Sequence, residues 1–341
     1  MPVDIPVLYL STSPDGKASD LALLLPSTHI EDLMMASRSR FTGLVAGLLL
    51  LITLSTVTAL TSPQPVSTLL AHHAAEIAKL KGVCRATGSS VDLTQLPYSN
   101  DVFFLRYCLG EDVEKTFQQS LEWRTSAEGK RICGIAAAAV DHVTSIGTWQ
   151  NEIVLSSAPH AALITQHITP KNCITTTAST GDLVYCIRAG SIDDVALLKA
   201  VSIPQMVEFF LYVKEVNAIV SDMRSAATNK LLYTVTCNDL SGVKLIGGSA
   251  DFRKALSETS TVASTIYPAA YTGPTLLLNL PVLVAALVQL FTPLFPESVK
   301  QRLKFQRGPL QNVADLTDIA TRSSSAARRE FVQQLDDILY S

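Results

Sequence analysis

The groups able to do covalent or metal chemistry are thinly spread. His142, His160 and His167 come near one another in sequence, but HExxH is absent and no Cys/His spacing suits zinc. Cys84, Cys108, Cys133, Cys173, Cys186 and Cys237 form no CxxC pair. In a chain of 341 residues that is the pattern of buried small hydrophobes rather than of a disulfide framework. GxGxxG, the Walker A loop and GxSxG are missing. Gly247-Gly248 before Ser249 has the form of a phosphate-cradling turn at a helix start, and equally of a plain turn. Asn238 and Asp239 have the types for acid–base work but stand where a strand ends. No nucleophile–base motif shows, although triads are assembled in space rather than in sequence.

What the sequence does supply is non-covalent chemistry. The stretch "NLPVLVAALVQLFTPLFPESVKQRLKF", residues 279–305, carries no charge before Glu297. From Val282 to Leu290 it is apolar almost all round, with Leu283, Leu287 and Leu290 among its largest side chains. Such a helix is buried on both sides or meets core and membrane by turns. Phe291, Leu294 and Phe295 adjoin prolines, where a hinge or a membrane-dipping tip can form. Lys300, Arg302, Lys304 and Arg307 follow, suited to anionic headgroups at roughly 1 kcal/mol each near an anionic surface. The plainer reading is a core helix followed by a solvated cationic face. Tyr185, Tyr212, Tyr233 and Tyr267 suit the wall of an apolar pocket, or the usual buried tyrosine with one partner. The Lys214-Glu215 and Asp193-Asp194 pairs read as surface charge, and Arg328-Arg329 as a helix face.

The elements that must position these residues begin well inside the chain. From Met34, basic Arg38 and Arg40 precede an apolar run, Phe41 to Leu60, with Val57-Thr58-Ala59 at the position of a signal cleavage site. The run is also long enough for an uncleaved anchor. The next residues, to about 95, are rich in hydroxyls, Ala and basic side chains, like a transit peptide or a disordered linker. Signal plus transit-like stretch implies import by the secretory route, with a plastid as destination; an endomembrane anchor is the alternative. Residues 101–127 place Leu105, Leu109, Val113, Phe117 and Leu121 at fourfold spacing, a helical pair broken near Gly110 with Asp112 at the second start. "GIAAAAV" and "HAALITQHI" read as helical, "TPKNCITTTASTGD" as a loop. Then strands ("LVYCIRAG", "LLYTVTCNDLSG", "TLLLN", "LKFQRG") alternate with helices ("IPQMVEFFLYVKEVNAIVSDM", "SADFRKALSETSTVASTIYP"), and a closing helix sets Phe331, Leu335, Ile338 and Leu339 on one face. The organisation expected is a signal or anchor over 1–59, a transit-like or linker stretch over 60–95, a helical module over 96–180, a lobe over 181–310 and a C-terminal helix over 311–341. The fold class expected is α/β, a helical module before a three-layer α/β/α lobe with a mixed, mostly parallel sheet. With 48% hydrophobic residues a sizeable core is available, and a net charge of −3 gives no general attraction to nucleic acid.

Four pieces in order resemble the CRAL-TRIO, or Sec14-like, lipid-binding family. They are "FFLRYCLGEDVEKTFQQSLEWR" (103–124), "GDLVYCIRAGSID", "CNDLSGVKL" (237–245) and the stretch from Tyr267-Pro268 through Asn279-x-Pro281 to the basic finish, residues 267–305. The resemblance implies a protein that is not an enzyme, with no cofactor beyond a bound phospholipid or isoprenoid, and a membrane surface as partner. It implies a pocket and mobile gate made by Tyr185, Tyr233, Leu278, Asn279, Pro281, Leu283, Leu287, Leu290 and Phe291. Phe295, Lys300, Arg302 and Lys304 would meet membrane and headgroup. Phosphoinositide-binding members carry an acidic residue after Tyr-Pro, where this chain has Ala269. Two further readings stand beside it: an enzyme acting on an apolar substrate with Asp239, His142 or His160 as acid or base, and a membrane-tethered adaptor.

Overall fold

The computed structural model describes residues 64–86, 91–145, 150–242, 249–280, 303–306, 313, 316–317 and 326–340. The signal-like stretch 34–60, Gly247-Gly248, and the expected gate and headgroup residues from Pro281 to Arg302 lie outside them.

The first layer is helical: α1 (Val66–His72), α2 (Ala74–Ala86), α3 (Asp101–Cys108), α4 (Val113–Thr125), α5 (Ala127–Ser145), α6 (Asn151–Ser156) and the single turn α7 (Ala161–Ile164). The expectation of a disordered linker before residue 95 is thereby corrected: Ile77, Leu80 and Cys84 recur on one face of α2 and bury against α3. α3 has no solvent face, since every residue from Val102 to Cys108 is buried. The Asn100 side chain accepts the Val102 N–H at 3.0 Å and so fixes where α3 begins. Phe103, Tyr107 and Phe117 meet edge to face with centroids 5.1–6.5 Å apart, the arrangement aromatic rings prefer. Asp112 precedes α4 in the left-handed conformation, φ 48°, without a side-chain cap.

The sheet follows as β1 (Cys173–Thr177), β2 (Leu183–Arg188), β3 (Thr234–Asp239), β4 (Thr272–Leu278) and β5 (Leu303–Gln306), side by side in that order. β1 runs antiparallel to β2, and the remaining neighbours are parallel. The α/β class and the mixed, mostly parallel sheet are as expected. β1 corrects the reading of residues 169–182 as a loop: Ile174 and three threonines form a strand because β-branched side chains suit a pleat. The pairing of β3 with β4 shifts register between Thr234 and Thr236. That irregularity accommodates Gly273 and Pro274, the latter with no N–H for the ladder. A Cβ on Gly273 would stand 3.2 Å from the Tyr233 Cβ and 3.3 Å from the Thr234 carbonyl, so a larger residue here would have to push the neighbouring strand back by a few tenths of an ångström.

Between β2 and β3 run α8 (Asp194–Ala200) and α9 (Ile203–Thr228); between β3 and β4 runs α10 (Ala250–Ile266). α9 starts where the Ser202 N–H donates to the Gln205 side chain at 2.8 Å, with Pro204 in the tolerated first turn. α10 is capped by Ser249, whose hydroxyl accepts the Phe252 N–H at 3.2 Å. Both helices pack with α5 and α6 on one face of the sheet. The other face is aliphatic (Ile174, Val184, Cys186, Val235, Cys237, Leu276, Leu278) and is closed by α11 (Ala326–Tyr340) through Phe331, Leu335 and Ile338. Helices thus cover both faces, the three-layer arrangement.

Candidate functional site

The two faces of the sheet differ in chemistry. Opposite α11 the side chains are almost all apolar. Toward α9 the register brings together Thr175, Tyr185, Thr236 and Thr275, one per strand across β1 to β4, and Asn238 between Ile187 and Leu277. α9 covers the N-terminal end of this threonine-lined face. Its Asn217 accepts from the Thr175 hydroxyl at 3.2 Å, Ser221 meets Thr234 at 3.5 Å, and Arg224 donates to Thr177 at 2.8 Å. Asn151 of α6 bonds both the N–H and the carbonyl of Thr175, at 2.7 and 3.0 Å, which blunts the free edge of β1. Nearer the C-terminal ends of the parallel strands, Tyr185, Ile187 and Thr236 are only half-buried. The Cys173 Sγ donates to the Tyr185 hydroxyl at 3.3 Å. Crevices at the carboxyl ends of parallel strands are where open α/β sheets bind ligands.

At those ends a buried cluster ties three strands. Asp239 accepts from Arg188 Nε at 2.8 Å, from Asn279 Nδ2 at 2.8 Å and from the Ser241 N–H at 3.0 Å. Arg188 also donates to the Val313 carbonyl at 2.7 Å. Asn279 leaves β4 in the left-handed conformation, φ 53°, which asparagine tolerates better than most residues. The direction in which the chain departs toward residue 281 is therefore set by a side-chain anchor.

A second polar system joins the helical layer to α9. Arg124 makes a two-pronged pair with Glu215, at 2.6 and 2.8 Å, and the Tyr267 hydroxyl donates to the same carboxylate at 2.6 Å. Burial works against the Arg124 charge, but Glu215 beside it holds the guanidinium well above its ordinary pKa. Two helical turns on, Arg106 donates to Asp222 at 3.0 Å, to the carbonyls of Ala270 and Leu232 at 2.7 and 2.6 Å, and to Ser225 at 3.2 Å. Tyr271 donates to the other Asp222 oxygen at 2.6 Å. The expectation of surface charge at Glu215 is corrected, since it is fully buried and its charge is matched by Arg124. Lys214, next to it, stands 5.5 Å over the Tyr267 ring, and burial lowers its pKa to about 8.

The residues weighed for acid–base work are not assembled. His160 Nε2 pairs with Glu208 at 2.6 Å, and Glu208 also takes Arg131 at 2.5 Å. Burial alone would raise that carboxyl, and these two partners hold it below the usual range. His142 is exposed on α5, and Asp239 is engaged as above. No group of three or more His, Cys, Asp or Glu able to hold a metal occurs among the described residues. No single helix among them is long and apolar enough to cross a membrane.

Of the residues expected at the pocket, Tyr185 lies on the threonine-lined face and Asn279 at its C-terminal margin. Leu278 is fully buried on the opposite face, against the α11 cluster. Tyr233 precedes β3 at the N-terminal end of the sheet, its ring 5.7 Å from the Arg106 guanidinium. Lys304 is paired in register with Leu276 on β5, apart from Tyr185. Thr236 and Asn238 were not singled out from sequence as pocket residues; the strand alternation that puts Val235 and Cys237 in the core already assigned both to the other face.

No protein-family model matches the sequence, and no curated protein matches it. Among solved structures, a crystal structure of Sfh5 is similar, at 14% identity and a TM-score of 0.42, covering 70% of this chain and 81% of that one. The likeness extends to the arrangement of elements alone.

Proposed function

We propose that this protein binds one predominantly apolar, lipid-like molecule over the C-terminal half of the threonine-lined sheet face, and carries or presents it at membranes. The observation that supports this most is the unequal treatment of the two faces. One is aliphatic and closed by α11; the other leaves Tyr185, Ile187 and Thr236 half-buried beside an ordered exit at Asn279. Such a mixture, an apolar wall with a few placed hydroxyls, is the usual lining of a small-molecule site.

The chain supplies a candidate cover. Residues 281–302 connect β4 to β5 and hold the most apolar stretch outside the signal-like region. The two preceding connections put α9 and α10 on the threonine-lined face. Parallel strands added in one direction with one crossover hand keep their connections on one side. In this reading Pro281, Leu283, Leu287, Leu290 and Phe291 form an apolar gate over that face. Phe295, Lys300 and Arg302 meet the membrane when the gate opens. Acyl or isoprenoid surface then passes from bilayer to protein without exposure to water. No covalent step is required.

The test is native mass spectrometry of the full chain purified from a eukaryotic host, followed by organic extraction. One stoichiometric lipid supports the reading. A folded protein that is ligand-free and takes up no fluorescent phospholipid or retinoid from vesicles overturns it.

A further inference from the structure

We infer that the bound molecule carries a neutral hydrogen-bond acceptor, an ester or keto carbonyl above all, and that the side-chain amide of Asn238 donates to it. The inference rests on the binding reading above and adds the chemical class of ligand to it.

Asn238 is 9% exposed, and its Nδ2 has no hydrogen-bond partner among the described residues. It stands in mid-sheet, in register with Ile187 on β2 and Leu277 on β4, neither of which has a side-chain acceptor to offer. The residues on either side of it in β3, Cys237 and Asp239, belong to the other face; Asp239 is there committed to Arg188 and Asn279. Asparagine is a poor strand residue, and a core position here would suit valine or isoleucine. A buried threonine can turn its hydroxyl toward a nearby main-chain carbonyl, as a local side-chain bond. The amide's two N–H groups share one plane and turn only together, and its nitrogen meets no acceptor among the described residues. Buried donors are rarely left unmade, so an acceptor from outside the chain is the natural complement.

The surroundings define that acceptor further. Tyr185 pairs with Thr236, two residues from Asn238 on the same face, so a phenol and an amide lie diagonally across neighbouring strands. Arg188, the cation on the adjacent strand, faces the other way and is held by Asp239 and the Val313 carbonyl. The site therefore offers neutral donors amid apolar walls. It suits the ester carbonyl of an acyl lipid or the oxygen of an oxygenated isoprenoid; a pure hydrocarbon leaves the amide unpaired.

Displacement of bound diphenylhexatriene by methyl stearate and by icosane, matched in length, tests this. The wild-type chain is expected to prefer the ester about tenfold, or roughly 1.4 kcal/mol. Asn238→Leu should abolish the preference, keep icosane binding, and melt no lower than wild type when ligand-free, because a spare donor is not needed for folding. An unchanged preference in N238L overturns the inference and leaves lipid binding intact, as does a pure hydrocarbon found as the stoichiometric ligand. Failure of the wild type to bind either probe overturns the binding reading and this inference together. Should N238L not fold, Asn238→Val carries the same comparison, and failure of both to fold overturns the inference.

Discussion

Arg106→Met isolates the energetics of the seam between the helical layer and the sheet. Arg106 is fully buried, and the change strands the Asp222 carboxylate with the Tyr271 hydroxyl as its remaining strong donor. The carbonyls of Ala270 and Leu232 lose their donors at the same time. Removing one partner of a buried pair costs about 3–5 kcal/mol. At roughly 2–4 °C per kcal/mol for a body of this size, the melting temperature should fall by about 6–20 °C. Asp222→Asn in the same chain removes the stranded charge while its oxygen still receives the Tyr271 proton. The double variant should therefore regain about 2 kcal/mol over Arg106→Met, and the two changes should be strongly non-additive. Burial already pushes the Asp222 carboxyl up in the intact protein, against the pull of Arg106 and Tyr271. A carboxyl whose folded-state pKa is raised contributes stability below its unfolded value, lost as pH rises through the folded one. Removing Arg106 raises it further, so the variant should be hurt less at pH 5 than at pH 7. Urea unfolding of the four proteins followed by circular dichroism measures all of this. Additive losses in the cycle, or a cost independent of pH, would refute the assignment of the energy to a buried ion pair.

Two further outcomes follow from the same packing. Burial holds Lys214 near pKa about 8, below its unfolded value, so its charge opposes folding at neutral pH and ceases to as pH rises toward 10. Lys214→Met should then stabilise by about 1–2 kcal/mol at pH 7, after allowing for the lost cation–π contact with Tyr267, and by much less at pH 9.5. An equal gain at both pH values in thermal melts refutes that account. Phe331→Ala, at a fully buried position between α11 and the sheet, should cost about 3–5 kcal/mol in urea titrations. A loss below about 1 kcal/mol would mean that α11 does not close that face.

Much of the lobe was legible because its signals are local. The continuous apolar run Leu276–Leu278 marks a strand buried on both faces, and Phe331, Leu335 and Ile338 repeat at helical spacing. The strand Cys173–Thr177 is hidden in the sequence because threonine reads as a turn or loop residue when a proline, a glycine and an asparagine flank it. Its pairing partner Leu183–Arg188 confers strand character from outside the segment. Glu215 is hidden for a related reason. Sequence shows a Lys-Glu pair on a helix, and nothing near it announces that Arg124, 91 residues away, supplies the counter-charge. The candidate site divides the same way: Tyr185 is visible as a strand tyrosine, while the isolation of the Asn238 amide depends on what three strands place around it.

The sheet grows in strict chain order, each strand lying beside the one made just before it. During synthesis, then, β1 to β4 can assemble with α9 and α10 as soon as each leaves the ribosome, without waiting for a distant partner. The aliphatic face is different, for α11 follows every strand of the sheet. Until it docks, the surface formed by Ile174, Val184, Val235 and Leu276 is an uncovered greasy sheet, and the nascent chain at that stage is a client for whatever chaperone shields it.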